Sequence, residues 1–176
     1  TRGLERLDEI IANGTVFGYK SSRNGLLGTD FSTKLSAFLA LGCITARQIH
    51  EKMLAYEDGT NDAYAAAEGY GQGENEGSKG VRFELLWRDY MRLCHKKFKA
   101  RLFYRAGFRN DYKHKWKSPK SSEARQDQEE SPEDIEKTLQ RVLRGTTGMG
   151  LIDATQRELI HTGYTSNRAR QNTASF

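Results

Sequence analysis

Ser32, Thr33, Lys34, Leu35 and Ser36 put three hydroxyls and a cation at the start of a predicted helix, directly after a Gly-containing loop. Unpaired backbone N–H groups and the positive end of a helix dipole attract anions, and these side chains add donors and charge, so the segment suits a phosphate. An ordinary hydroxyl cap with a solvent-facing lysine is the alternative. A second group lies in Phe83-Glu84-Leu85-Leu86-Trp87-Arg88-Asp89-Tyr90. At about 100° per residue, Glu84, Trp87, Arg88 and Met91 fall on one helix face. There Arg88 could meet an anionic or planar ligand, Trp87 could stack on a base, and Glu84 could accept from a base edge. The alternative is an i, i+4 Glu84–Arg88 pair in water with Trp87 as rim packing. A third group runs from Gly145-Thr146-Thr147-Gly148 through Ile152-Asp153-Ala154 to the stretch 162–171. Asn167 and Arg170 share a side there, and burying them beside Arg168 would be costly unless a ligand supplied partners. Surface solvation is the other reading.

Other chemistries find little support. His50, His95, His114 and His161 have no acid or nucleophile at a suggestive spacing, and Cys43 and Cys94 lie far apart without a metal or redox pattern. Trp116 sits among Lys113, Lys115 and Lys117, which leaves nucleic-acid contact and loop anchoring both open. The 176 residues carry 28 Lys and Arg against 23 Asp and Glu, a net charge of +5 that favours a polyanionic partner. Two Cys and two Pro exclude a disulfide-stapled or collagenous chain. No apolar run approaches the roughly 20 residues of a membrane helix, and the first ten residues lack the pattern of a signal segment, so an intracellular protein is expected.

Helices must position these groups, because apolar residues recur at spacings of three and four with no sustained alternation. Leu4, Leu7, Ile10 and Ile11 form a first stripe, and a helix over 32–41 buries Leu35, Phe38 and Leu39. After a restart at Thr45 comes a helix over 46–54. The stretch 57–79, with Gly69, Gly71, Gly73 and Gly77, reads as a mobile loop with little to pack. A long helix follows over 82–98, with Phe83, Leu86, Tyr90, Leu93 and Cys94 as its apolar side. The irregular stretch 109–130 is first basic (Arg109, Lys113, Lys115, Lys117, Lys120) and then acidic (Glu123, Asp127, Glu129, Glu130). Ser131-Pro132-Glu133-Asp134 opens another helix with a capping hydroxyl, a proline at the first helical position and acids in the first turn. Helices over 152–161 and from Ser166 complete the order, and the chain reads as cut within the last of them.

Taken in this order, the motifs resemble the helical FAD-binding region of the cryptochrome/photolyase family. The matching strings are Tyr19 with Arg23-Asn24-Gly25-Leu26-Leu27-Gly28, Ser32 to Ser36 with Leu39-Ala40-Leu41-Gly42-Cys43, the string from Phe83 to Tyr90, 145–148, Ile152-Asp153-Ala154 and 162–176. The strings at Phe83 and at Tyr164-Thr165-Ser166-Asn167-Arg168-Ala169-Arg170-Gln171 most resemble fungal DASH-type members. The resemblance spans nearly the whole chain and implies part of one all-α domain that holds FAD. It implies a flavin-dependent photolyase in which light drives an electron from reduced FAD to split cyclobutane pyrimidine dimers in damaged DNA, single-stranded DNA included. Tyr19, Ser32, Thr33, Lys34, Leu35, Ser36, Arg88, Asn167 and Arg170 match FAD contacts, with Lys34 where related enzymes often have Arg. Glu84, Trp87 and Asn167 match contacts to the damaged bases. Arg23 and Arg168 match positions near the DNA backbone or the flavin edge, and Trp116 matches the outer member of an electron-transfer chain. The family's folate antenna belongs to an amino-terminal domain without a counterpart in these residues. A monomer is expected. The rival expectations are a blue-light photoreceptor without repair and a non-enzymatic basic module that binds nucleic acid through 113–120.

Overall fold

Leu7, Ile10 and Ile11 share one side of helix α1 (Arg2–Ala12) and are fully buried, the centre of the core in the computed structural model. The structure describes residues 1–113, 116–120 and 129–176. Within them the regular structure is helical throughout and forms two compact units, Thr1–Lys97 and Phe98–Phe176. No helix among the described residues is long and apolar enough to cross a membrane.

In the first unit α1 packs against α2 (Thr15–Ser22) and α4 (Ala46–Glu57). Val16 and Tyr19 of α2, Ile44, and Ile49, Met53 and Tyr56 of α4 close the core. Thr45 begins α4 with a reciprocal cap, in which its hydroxyl accepts from the Gln48 N–H and the Gln48 side chain accepts from the Thr45 N–H. Asp8 ties three elements together by accepting from Lys52 Nζ at 2.5 Å and from the Tyr64 hydroxyl. Burial, reinforced by that carboxylate, pushes the Tyr64 hydroxyl well above the usual tyrosine range.

Three expectations are corrected here. The helix expected over 32–41 is only α3 (Ser36–Ala40), because Lys34 has φ +53°, a left-handed conformation that no α-helix accommodates. The stretch 57–79 is far from bare: a 3₁₀ turn (Asp62–Tyr64) inserts Tyr64 into the core, Ala67 joins it, and α5 (Glu76–Phe98) begins before the stretch ends. Finally, α5 meets the core through Gly77, Ser78 and Val81, with Leu85 partly buried. Its expected apolar side, Phe83, Leu86, Tyr90 and Leu93, is exposed. Periodicity reveals that a helix has an apolar face but not what covers it.

The second unit opens with a 3₁₀ turn (Lys99–Phe103) and consecutive tight turns, then α6 (Pro132–Arg144), α7 (Gly150–Thr162) and α8 (Asn167–Ser175). The Ser131 hydroxyl accepts from the Asp134 N–H with Pro132 at the first position, as the sequence motif requires. Gly145 ends α6 in the left-handed region, where a Cβ would lie 2.7 Å from the Asp153 carbonyl oxygen. Ile135, Ile152, Thr155 and Ala169 are buried in this unit. Lys115, Glu123 and Asp127 of the expected basic-then-acidic run, together with His114, lie outside the described residues.

Candidate functional site

Tyr19 and Arg23 leave the end of α2 close to Glu84 of α5. Arg23 forms an ion pair with Glu84 Oε1, nitrogen to oxygen 2.8 Å, and its guanidinium carbon stands 6.0 Å from the Tyr19 ring centre. Tyr19 is buried, and burial together with the Glu84 charge pushes its hydroxyl above the usual range against the opposing pull of Arg23. Tyr19 and Arg23, one turn apart, are thus brought to Glu84, which is distant in the chain. The expected i, i+4 alternative is not what forms: Arg88 pairs with Asp89 at 3.1 Å, and Glu84 takes its partner from α2. With both side chains more than a third exposed, the Arg23–Glu84 pair contributes at most about 1 kcal/mol. It leaves carboxylate lone pairs able to accept from another donor.

Trp87 follows one turn later on α5. Its ring stacks near Phe83 with centres 6.3 Å apart and tilts against Tyr90 at 5.3 Å, while the residue stays 49% exposed. Aromatic side chains spaced four and then three residues apart therefore support one another and keep a large ring available for a planar partner.

The turn at 32–36 is held from behind. Arg6 donates from Nε to the Thr33 carbonyl and from Nη2 to the Thr29 carbonyl, both at 3.3 Å, and pairs with Asp30 at 2.9 Å. That hydrogen bond from Arg6 holds the Asp30 carboxyl below the usual range. Leu35 is buried, and Lys34 Nζ donates to the Gly28 carbonyl at 3.1 Å and lies 4.9 Å from the Phe31 ring centre. Among the described residues, the hydroxyls of Ser32, Thr33 and Ser36 make no hydrogen bond to protein groups. The dipole argument weakens, since α3 has five residues and Ser32 and Thr33 precede its first residue, Ser36. The donor set itself fits a phosphate-bearing cofactor, with three hydroxyls and an ammonium on an anchored turn.

In the second unit, the Ser166 hydroxyl accepts from the Ala169 N–H and starts α8 at Asn167. Arg170 donates to the Thr165 carbonyl at 3.3 Å and Arg168 to Gln171 Oε1 at 3.2 Å. Asn167, Arg168 and Arg170 are exposed, so the cost of burying them, raised from the sequence, does not arise. The third constellation has a structural role in its first half. Asp153 accepts from the Thr147 N–H and hydroxyl at 2.7 and 2.6 Å and from the Gly148 N–H at 2.9 Å, closing the turn between α6 and α7. Trp116 is exposed, with its indole N–H on the Arg105 carbonyl at 3.1 Å, an anchor for the loop. Sequence reasoning missed Ser22 Oγ and Thr165 Oγ1, which are buried without a partner among the described residues. A serine in a helix and a threonine beside a cap carry no distinguishing signal.

The Asp153 carboxyl is held below the usual range by the Thr147 hydroxyl first and then by the two backbone N–H groups. A depressed value contributes stability above the unfolded pKa, near 3.9, and loses it as pH falls through the folded value. The gap in melting temperature between wild type and D153N is therefore expected to be open at neutral pH and to close below about pH 3.9. A gap that stays constant from neutral to acid pH contradicts this account.

Among the described residues no group of three or more His, Cys, Asp or Glu could hold a metal ion, and both cysteines are free. The model of the FAD binding domain of DNA photolyase matches residues 81–176. A Neurospora crassa protein with the provisional name mitochondrial cryptochrome DASH is 56% identical over the whole of this chain and 25% of its own length. The cryptochrome DASH of Gloeobacter violaceus is 41% identical over the whole chain and 30% of its own length. The crystal structure of a Synechocystis cryptochrome aligns with all of the chain and 31% of its own at a TM-score of 0.79 and 36% identity. The chain spans about a quarter to a third of the length of these relatives. It belongs to the photolyase/cryptochrome family, as part of the helical FAD-binding domain of a DASH-type member.

Proposed function

We propose that this chain supplies flavin-holding and lesion-reading groups to a light-driven enzyme that splits cyclobutane pyrimidine dimers in DNA, single-stranded DNA included. The observation that carries the reading is the meeting of Tyr19, Arg23 and Glu84 beside the half-exposed ring of Trp87, in a chain matched by the flavin-domain model. Ser32, Thr33, Lys34 and Ser36 would hold the phosphates of FAD, Leu35 would seat their turn, and Tyr19, Arg88, Asn167 and Arg170 would hold the remainder. When bound, FAD supplies the electron that light moves onto the dimer and takes back after the ring opens.

The protein's own share is binding and orientation. An everted lesion loses its stacking neighbours, and the Trp87 ring supplies a replacement wall. Glu84 accepts from the base edges with the lone pairs that Arg23 leaves, and Asn167 adds an amide. Arg23 and Arg168 neutralise DNA phosphates. Trp116, anchored by its N–H and open to solvent, suits the outer member of an electron-transfer chain. The reading includes a monomer acting inside the cell, and the mitochondrial name of the Neurospora relative supports such a setting.

The test uses a polypeptide that carries this chain at the full length of its relatives. Absorption spectra before and after denaturation are expected to show released flavin, and blue light is expected to repair a thymine dimer in a strand that darkness leaves intact. Trp87→Ala should weaken dimer binding about 5- to 150-fold, the range of one lost base stack. Full flavin content without light-dependent repair would overturn the enzyme and leave a photoreceptor. The 176-residue chain alone is expected to show little flavin absorbance.

A further inference from the structure

Phe83, Trp87, Tyr90 and Cys94 follow one another along α5 at intervals of four, three and four residues. That spacing keeps them on one stripe of the helix, with successive Cβ atoms about 5 to 6 Å apart. The Tyr90 ring is tilted against Trp87 with centres 5.3 Å apart, and the Tyr90 hydroxyl meets the Cys94 sulfur one turn further on. Hydrogen bonding with that sulfur, followed by its charge, pushes the hydroxyl above the usual tyrosine range. Tyr90 is 52% exposed, and Cys94 is a free thiol that is partly exposed. Lesion reading uses the Trp87 ring alone and leaves Tyr90 and Cys94 without a task.

Three oxidisable groups in contact, in this order, have a chemistry of their own. An indole loses an electron more readily than a benzene ring, so Phe83 closes one end of the stripe and an oxidising equivalent settles on Trp87. A phenol at neutral pH yields its electron more readily than an indole, because its proton leaves at the same time. A thiol S–H bond is close in strength to a phenolic O–H bond, so a hydrogen atom passes between Cys94 and Tyr90 with little bias. A partly exposed thiol is in turn open to capture by other thiols. Packing explains rings on a helix face, but it requires neither the Tyr90 hydroxyl nor the Cys94 thiol, since Phe and Ser would fill the same space.

We propose that Trp87, Tyr90 and Cys94 form a discharge track that carries an oxidising equivalent from the Trp87 ring to a thiol at the protein surface. A one-electron oxidant, an excited cofactor or a diffusing radical, takes an electron from Trp87, whose indole nitrogen releases its proton to water. The neutral indolyl radical then takes an electron from Tyr90 and a proton from water while the Tyr90 hydroxyl gives up its own proton, which restores Trp87 and leaves a phenoxyl radical. Transfer of the hydrogen atom from the Cys94 sulfur to the Tyr90 oxygen restores the phenol and leaves a thiyl radical. The sum is reduction of the oxidant by one electron and loss of one electron and one proton from Cys94. The stacking ring is returned intact. The track requires no lesion, does not involve Trp116, and stands whether or not repair is the activity.

The test is pulse radiolysis of the 176-residue chain in a C43S/W116F background, where Trp87 is the one tryptophan and Cys94 the one cysteine. Azide radicals, which take one electron from an indole, serve as the oxidant. The absorption of the indolyl radical is expected to decay as that of a phenoxyl radical rises, at a rate independent of protein concentration, and a nitrone spin trap is expected to label Cys94. Y90F keeps the ring and removes the hydroxyl. It should abolish the phenoxyl rise and the label, and leave the indolyl radical to decay only through encounters between molecules. C94S should keep the rise, lengthen the life of the phenoxyl radical and lose the label. W87F should lose the indolyl signal and the label together, and Y112F, in the second unit, should change none of them. A rise that survives in Y90F, a rate that scales with protein concentration, or a Cys94 label that persists in Y90F or W87F overturns the track and leaves the stripe to packing.

Discussion

Gly77→Ala is expected to unfold the first unit at concentrations of urea that the parent chain withstands. Gly77 lies in the first turn of α5, and a Cβ there would sit 2.0 Å from the Phe17 carbonyl oxygen and 2.2 Å from that of Val16. Overpacking in a core costs about 1 to 3 kcal/mol when side chains can turn aside. Backbone atoms cannot, so α2 and α5 must separate, and the cost should rise to about 4 kcal/mol, the range reserved for a few severe mechanisms. Gly18 supplies the opposite case. It lies within α2 with no atom near a would-be Cβ, and Gly18→Ala should stabilise by about 0.5 to 1 kcal/mol through helix propensity. Fluorescence of Trp87 in a Trp116→Phe background follows this unit during urea unfolding. Midpoints that move in opposite directions bear out the contact, and an unchanged midpoint for G77A removes it. The outcome bears on the site, because α2 and α5 bring Tyr19 and Arg23 to Glu84.

Much of the scaffold was legible where local rules and packing agree. The stripe of Leu7, Ile10 and Ile11 is a helix face that the core covers, and Ser131-Pro132 starts a helix where cap chemistry demands. Legibility failed where a distant contact decides. Lys34 carries a left-handed φ that no propensity foresees, held in a turn that Arg6 clamps from another helix. Gly-rich composition between 57 and 79 suggested looseness, yet Tyr64 fills the core and its hydroxyl meets Asp8.

The candidate site divides along the same line. Glu84 and Trp87 were legible as one helix face, because a 3.6-residue period places them together. The partner of Glu84 was not, since Arg23 comes from another helix and no spacing rule connects them. Asp153 and Thr147 belonged to the strings of the third group, and the geometry gives them to a turn. Only coordinates separate a polar group that closes a loop from one that awaits a ligand.

The position of α5 depends on a buried ion pair whose removal should be costly. Glu57 is 4% exposed at the end of α4, accepting from the Ser78 hydroxyl at 2.5 Å and from Arg82 at 2.7 Å. Arg82 also pairs with Glu74, and its Nε donates to His50 Nδ1 at 3.4 Å. One buried carboxylate thus fastens the first turns of α5 to α4, just before Glu84 and Trp87. Removing one partner leaves the other desolvated and unpaired, a loss of about 3 to 5 kcal/mol for buried pairs. Because Arg82 keeps about a fifth of its exposure, Glu57→Ala should fall near the low end, about 3 kcal/mol. Replacing both partners by apolar residues of similar size removes the unpaired charge, so E57L/R82M should recover most of that loss. Urea midpoints of the single and double variants, read through Trp87, decide the matter: additive losses would mean that the two side chains act independently and that α5 is seated by Gly77 and Val81 alone.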